Sequence, residues 1–218
     1  MGKEWIYRLI TRLSGGIARL LFGLKIHGRA NIPSGHGFLL IARHRSYWDI
    51  PLLAVALKPE RRIHFVARRT LQRNLLLRPL IKNLTITIDR EHFRLQDYRR
   101  ISQALEADKI VGIFPEGTMT NTETIRSGVV RFAERSGRPI LPIRIAARGP
   151  YPPHYPFGLP RIDIWIGQSF RLAELESELN RTLSRQERYA QLGQALMQRI
   201  DRAGLPAERP LTAGQELR

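Results

Sequence analysis

Apolar runs of four to six residues alternate with longer stretches of helical periodicity from Lys25 almost to the end of the chain. A short continuous run suits a strand buried on both faces, whereas apolar residues at three- and four-residue steps make one face of a helix. Phe38 to Ala42, Ile63 to Ala67, Thr85 to Ile88, Ile110 to Phe114, Ile140 to Ile145 and Ile162 to Ile166 read as strands. Helices are predicted around 47–57, 69–80, 92–107 and 123–136, and again over 171–200, where Ser184 and Glu187 offer a capping box. Such alternation specifies the α/β class: a single domain with a mixed, largely parallel central sheet flanked by helices. The 218 residues suit one such domain, spanning 25–202. Pro206, Pro210 and Gly214 interrupt any pattern at the end, so 203–218 is read as a loose C-terminal tail.

Residues 1–24 stand apart as an N-terminal amphipathic helix. Trp5, Ile6, Leu9, Ile10, Leu13, Ile17, Leu20, Leu21 and Leu24 recur at roughly helical spacing, and Arg8, Arg12 and Arg19 are placed for a basic face. Trp and Leu opposite Arg is the pattern of a helix lying in a lipid headgroup layer. A helix packed on the domain core fits the same pattern, and Gly15-Gly16 offers a point for a kink.

Charge narrows the partners. Lys and Arg number 36 against 19 Asp and Glu, a net charge of +17. Such an excess suits a nucleic acid, an anionic membrane surface or a phosphorylated substrate. Residues 61 to 100 alone hold eleven basic residues against three acidic ones. No finger, RNP-type or Gly-x-x-Gly clamp accompanies them, so no nucleic acid is expected. The chain has no cysteine, which excludes disulfides, thiolate metal sites and thiol nucleophiles. No uninterrupted apolar stretch reaches the length of a conventional membrane span, and the arginines of the first helix are unlike a signal peptide. The expected location is the cytoplasmic face of the cell membrane, as a peripheral or monotopic protein.

Four motifs carry chemistry. His44-Arg-Ser-Tyr-Trp-Asp49 follows a strand, and there the Asp49 carboxylate can reach the His44 ring. A carboxylate on one imidazole nitrogen fixes the tautomer and leaves the other nitrogen free to accept a proton. Ser46 and Asp49 also fit a plain helix capping box, and alone the spacing is weak. Ile86-Thr-Ile-Asp89-Arg90 ends a strand with a planar guanidinium fork suited to phosphate, or to an ordinary ion pair. Phe114-Pro-Glu116-Gly117-Thr118 makes a turn at a strand's C-terminal end, where α/β sheets build ligand sites. Ile140-Leu-Pro142-Ile143 could be an edge strand carrying a proline.

In this order the motifs resemble those of the glycerolipid acyltransferase superfamily, and specifically its 1-acylglycerol-3-phosphate acyltransferases, over about residues 25 to 170. The resemblance implies His44 as catalytic base, oriented by Asp49, with Arg90, Glu116, Gly117 and Thr118 holding the glycerol phosphate. It implies acyl-CoA or acyl carrier protein as acyl donor, a membrane lipid as acceptor, and no metal or resident cofactor. The chain departs from the family in two places. Arg43 stands where Asn commonly precedes the histidine, and Met119 stands where Arg commonly follows Glu-Gly-Thr; Arg126 is the candidate replacement for that arginine. Glycerol 3-phosphate or another lysophospholipid remains an alternative acceptor, and a non-catalytic basic binding module is the remote one.

Overall fold

The computed structural model describes residues 4–35, 37–68, 85–89, 94–117, 128–177 and 183–205. They form one seven-stranded sheet with helices on both faces. The elements, in chain order, are α1 (Glu4–Phe22), β1 (Lys25–His27), β2 (Leu39–Ala42), α2 (Asp49–Leu57), β3 (Ile63–Arg68) and β4 (Thr85–Ile88). They continue with α3 (Leu95–Glu106), β5 (Ile110–Ile113), α4 (Gly128–Ser136), β6 (Ile140–Arg148), β7 (Arg161–Ile166), α5 (Leu172–Glu176) and α6 (Arg185–Arg202). The strand order is β1-β7-β6-β2-β5-β3-β4, and every neighbouring pair is parallel except β6 with β7. The expected mixed, largely parallel sheet is therefore present.

Strand β2 lies in the middle and is wholly buried, which is why Leu39-Leu-Ile-Ala42 carries no polar residue. Its side chains alternate between two cores. Leu40 and Ala42 join Phe65, Phe114 and α2 on one face, with Phe22 of α1 in the same core. Leu39 and Ile41 join Val111 on the other, against α3, α4 and α6.

Two expectations are corrected by this packing. Gly15-Gly16 does not kink α1, which runs unbroken; a Cβ on Gly15 would sit 3.3 Å from Val55, so this glycine lets α1 lie close on α2. Strand β6 is internal, not an edge. Pro142 is tolerated because its pairing with β7 begins only at Ile143, and the Pro142 carbonyl accepts from Gly167 N at 2.9 Å. The missing N–H therefore faces the region just past the β7 ladder. The three-residue strand β1 was not foreseen, being too short to show a period. The helix predicted over 69–80 lies outside the described residues, as does the tail beyond 205. At α6 the predicted cap is formed: the Ser184 hydroxyl accepts from Glu187 N, and the Glu187 carboxylate accepts from Ser184 N.

His64 on β3 is a half-buried base, and desolvation holds its pKa at about 4 against an ordinary 6.5, with Arg62 pushing the same way. The unfolded chain binds a proton near pH 6.5 that the folded chain refuses until about pH 4. Stability is therefore expected to fall as pH drops through that window. In His64→Asn, which cannot titrate, the melting temperature should decline less between pH 7 and pH 4 than in the parent.

Candidate active site

The parallel sheet brings the ends of β2 and β5 together, and the His44–Asp49 segment meets the Glu116–Gly117 turn there. Chain leaving β2 becomes Arg43-His44-Arg45-Ser46 before α2 starts at Asp49. His44 Nδ1 lies 2.9 Å from Asp49 Oδ2. The same oxygen accepts the backbone N–H groups of Arg45 at 2.7 Å and Ser46 at 2.8 Å. This oxygen serves as an acceptor to two N–H groups, so the neutral imidazole that fits it carries its proton on Nδ1 and donates it. Nε2 is left with its lone pair free. The His44 ring stacks on Phe114 at 4.1 Å and 14°, which sets its plane.

The predicted capping box is only half made. Asp49 accepts from Ser46 N, but the Ser46 hydroxyl accepts from Trp48 N at 3.2 Å instead of from Asp49. The first turn of α2 therefore works as a clamp for the carboxylate that meets His44.

Two further groups complete the site, and sequence reasoning missed both. Tyr151, in the loop after β6, donates its hydroxyl to Asp49 Oδ1. Burial, reinforced by the Asp49 charge, pushes the phenol well above its ordinary pKa, so it stays a donor. Asp49, only 1% exposed, thus receives four hydrogen bonds. The sequence signal for Tyr151 was its place in the Gly149-Pro-Tyr-Pro-Pro loop beyond a motif strand, which by itself suggests only a turn.

The second is a strut built on Arg43. Its Nη1 donates to Glu116 Oε1 at 2.5 Å, while Nε and Nη2 form a fork on Asp201 at 2.6 Å each. These bonds, Asp201 foremost, raise the Arg43 pKa and keep its charge in place. Glu116 is 5% exposed, and its other oxygen accepts from His44 N at 3.1 Å. The residue at the family's Asn position therefore ties the last turn of α6 to the turn after β5 and, through it, to the His44 backbone. Gly117 closes that turn, donating to Phe114 O at 2.9 Å with φ +72°, a conformation a Cβ would strain. Asp201, 158 residues from Arg43, left no local trace.

A cavity of about 290 Å³ opens beside the pair, lined among others by Arg43, Arg45, Asp49, Arg144, Tyr151 and Asp201. Strand β4 is parallel to β3. Arg90, Thr118 and Arg126 themselves lie outside the described residues.

A central parallel sheet with a His–Asp pair and a Pro-Glu-Gly turn at one edge defines a class. Residues 23–146 match the family model described as Acyltransferase, more than half of the chain, and the protein belongs to that family. Among its relatives is a protein of Bacillus subtilis (strain 168) named 1-acyl-sn-glycerol-3-phosphate acyltransferase. The two are 27% identical over 197 residues, which is 89% of this chain and 95% of the relative. The fold is also that of a crystal structure of the 1-acyl-sn-glycerophosphate (LPA) acyltransferase PlsC from Thermotoga maritima. That match has a TM-score of 0.65 at 18% identity and covers 95% of this chain and 83% of the other.

Proposed function

We propose that the protein transfers a fatty acyl chain from acyl-CoA or acyl carrier protein to the sn-2 hydroxyl of 1-acylglycerol 3-phosphate, giving phosphatidic acid for phospholipid synthesis. The observation that carries the chemistry is the buried, four-donor Asp49 that holds His44 through Nδ1 and so leaves Nε2 for the acceptor. Nε2 removes the hydroxyl proton, and the alkoxide attacks the thioester carbonyl. The tetrahedral intermediate, its oxyanion held by backbone N–H groups of the active-site turn, collapses. The thiolate leaves and takes the proton from the imidazolium. The family name and the similar Bacillus protein support the reaction and the acceptor class.

The Glu116-Gly117-Thr118 turn, with Arg90 and Arg126, is proposed to hold the glycerol phosphate, Glu116 by fixing the turn and the His44 backbone. Arg45 and Arg144 in the cavity wall add positive charge. Arg90→Ala is expected mainly to raise the acceptor KM at a similar kcat, because uniform phosphate binding is lost, with Lys restoring only part of it. A rise in donor KM alone would reassign Arg90 to the thioester substrate.

The acceptor is a lipid, and α1 suits a membrane surface at the cytoplasmic face. At 3.6 residues per turn its side chains fall into three stripes. Tyr7, Thr11, Ala18 and Phe22 are buried on the domain. Leu9, Leu13, Ile17 and Leu20 lie nearly opposite and exposed, Leu20 at 85%. Arg8, Arg12 and Arg19 run along the flank between. No helix among the described residues is long and apolar enough to cross a membrane. Replacing Leu9, Leu13 and Leu20 together by Asp should release the protein from anionic vesicles at an unchanged melting temperature, since each buries roughly 1.5–3 kcal/mol on insertion. Point changes are the sharper probe, because deleting the helix would also strip Phe22 from the core.

The reading is tested by incubating purified protein with labelled acyl-CoA, or acyl carrier protein, and a panel of lysophospholipids and glycerol 3-phosphate. Phosphatidic acid from the lysophosphatidic acid lane supports it. Transfer to glycerol 3-phosphate alone would move the acceptor, and no transfer to any member would overturn it.

A further inference from the structure

The loop between β6 and β7, residues 149–160, ends in a closed tip that the site does not explain. His154 N donates to Gly158 O at 2.8 Å, and Gly158 N donates back to His154 O at 2.6 Å. A Cβ on Gly158 would come within 2.8 Å of His154, so the closure depends on that glycine. The tip leaves Phe157 96% exposed, with Tyr155 also exposed beside it. A Phe left almost entirely in water beside a second exposed aromatic is unfavourable without a partner surface.

Three features say what that surface is. The base of the loop is basic: Arg148 and Arg161 are exposed cross-strand partners where β6 and β7 meet, and Arg148 also pairs with Asp163 at 3.1 Å. Exposed Arg45 and Tyr47 add to the same chemistry beside His44. Exposed aromatic rings on a loop with arginines at its base suit an anionic lipid interface, with rings at the headgroup level and guanidinium groups on the phosphates.

The loop is also continuous with α1. The Trp48 indole N–H donates to the Tyr155 hydroxyl at 2.6 Å, and the Trp48 ring packs edge-on to Phe22 at 4.9 Å. Arg161 Nη1 lies 3.3 Å from where a Gly23 Cβ would be, just past the end of the helix. At its other end the loop supplies Tyr151, which lines the cavity and holds Asp49.

We propose that this loop is a second membrane contact, entering an anionic bilayer at Tyr155 and Phe157 and so holding the wall of the active-site cavity against the lipid surface. The inference rests on the reading that α1 binds membrane, and adds a site where the bilayer meets the catalytic carboxylate through Tyr151.

The chain has no cysteine, so single substitutions give unique labelling sites in the full-length protein. An environment-sensitive fluorophore is placed on Phe157→Cys, on Leu20→Cys in α1, and on Gln103→Cys, an exposed position of α3 across the sheet. Vesicles of phosphatidylglycerol and phosphatidylcholine carrying nitroxide-labelled lipid are then added. The labels at 157 and 20 should shift to the blue and be quenched, while that at 103 stays unchanged. Phe157→Ser should weaken partitioning several-fold with no change in melting temperature. A response at 20 without one at 157 overturns the loop proposal and leaves the α1 reading standing. No response at either position overturns both, and equal quenching at 103 shows non-specific adsorption and overturns the loop proposal too.

Discussion

Purified His44→Ala protein is expected to lose acyl transfer by about 10²–10⁴-fold while keeping its fold. The Asp49 carboxylate would still accept Arg45 N, Ser46 N and the Tyr151 hydroxyl, so no buried charge is abandoned. The folding loss is then mainly the ring stack on Phe114, roughly 0.5–1.5 kcal/mol. Neither His64 nor His27 can take over. His64, half-buried on β3, is held neutral by desolvation. His27 does have a carboxylate partner, Asp163 at 3.0 Å, but it stacks on Trp165 where β1 pairs with β7, at the sheet margin. Turnover is read with acyl-CoA and lysophosphatidic acid, and melting temperature is read beside it. A folded variant that turns over near the parental rate would overturn His44 as the base.

Substitutions at Asp49 should separate catalysis from folding. Asn can keep an oxygen toward Arg45 N, Ser46 N and His44 Nδ1, and turn its amide toward the Tyr151 oxygen. Its geometry survives, and what goes is the charge that supports the imidazolium. Asp49→Asn is therefore expected to melt close to the parent and to keep only a small part of the activity, with a loss on the order of 10²-fold or more. Asp49→Ala also strands the donors packed around a nearly inaccessible carboxylate. Roughly 1–3 kcal/mol for each unsatisfied buried donor makes it clearly destabilised as well as inactive. Equal melting temperatures for the two variants would show that the four hydrogen bonds contribute little to folding. Equal activity of Asp49→Asn and the parent would remove the carboxylate's charge from the mechanism.

The motif ends of the strands were readable because a strand buried on both faces must be a continuous apolar run, and such runs stop where the chain leaves the sheet. Leu39 to Ala42 and Ile110 to Ile113 show this, and the residues just after them are His44 and Glu116. Boundaries were less clear. The apolar pattern placed β5 through Phe114, yet Phe114 has left the ladder and stacks on His44. Helix α1 was read as two faces, apolar and basic, because periodicity cannot say which apolar residues meet protein and which meet something else. Burial divides them into the Tyr7–Phe22 stripe and the Leu9–Leu20 stripe.

The sequence by itself determined the α/β class, the His44–Asp49 spacing and the Pro-Glu-Gly turn, since each depends on residues within about one turn or one strand of each other. Only the tertiary structure decided what Arg43, Asp201 and Tyr151 do. Arg43 departs from the family's Asn, and its purpose is visible only once α6 brings Asp201 against the end of β2. Tyr151 reaches Asp49 because β6 lies beside β2 in the sheet, a neighbour relation that strand order creates and local pattern does not record. Hydrogen bonds across 102 and 158 residues follow from topology, so no window of sequence could have contained them.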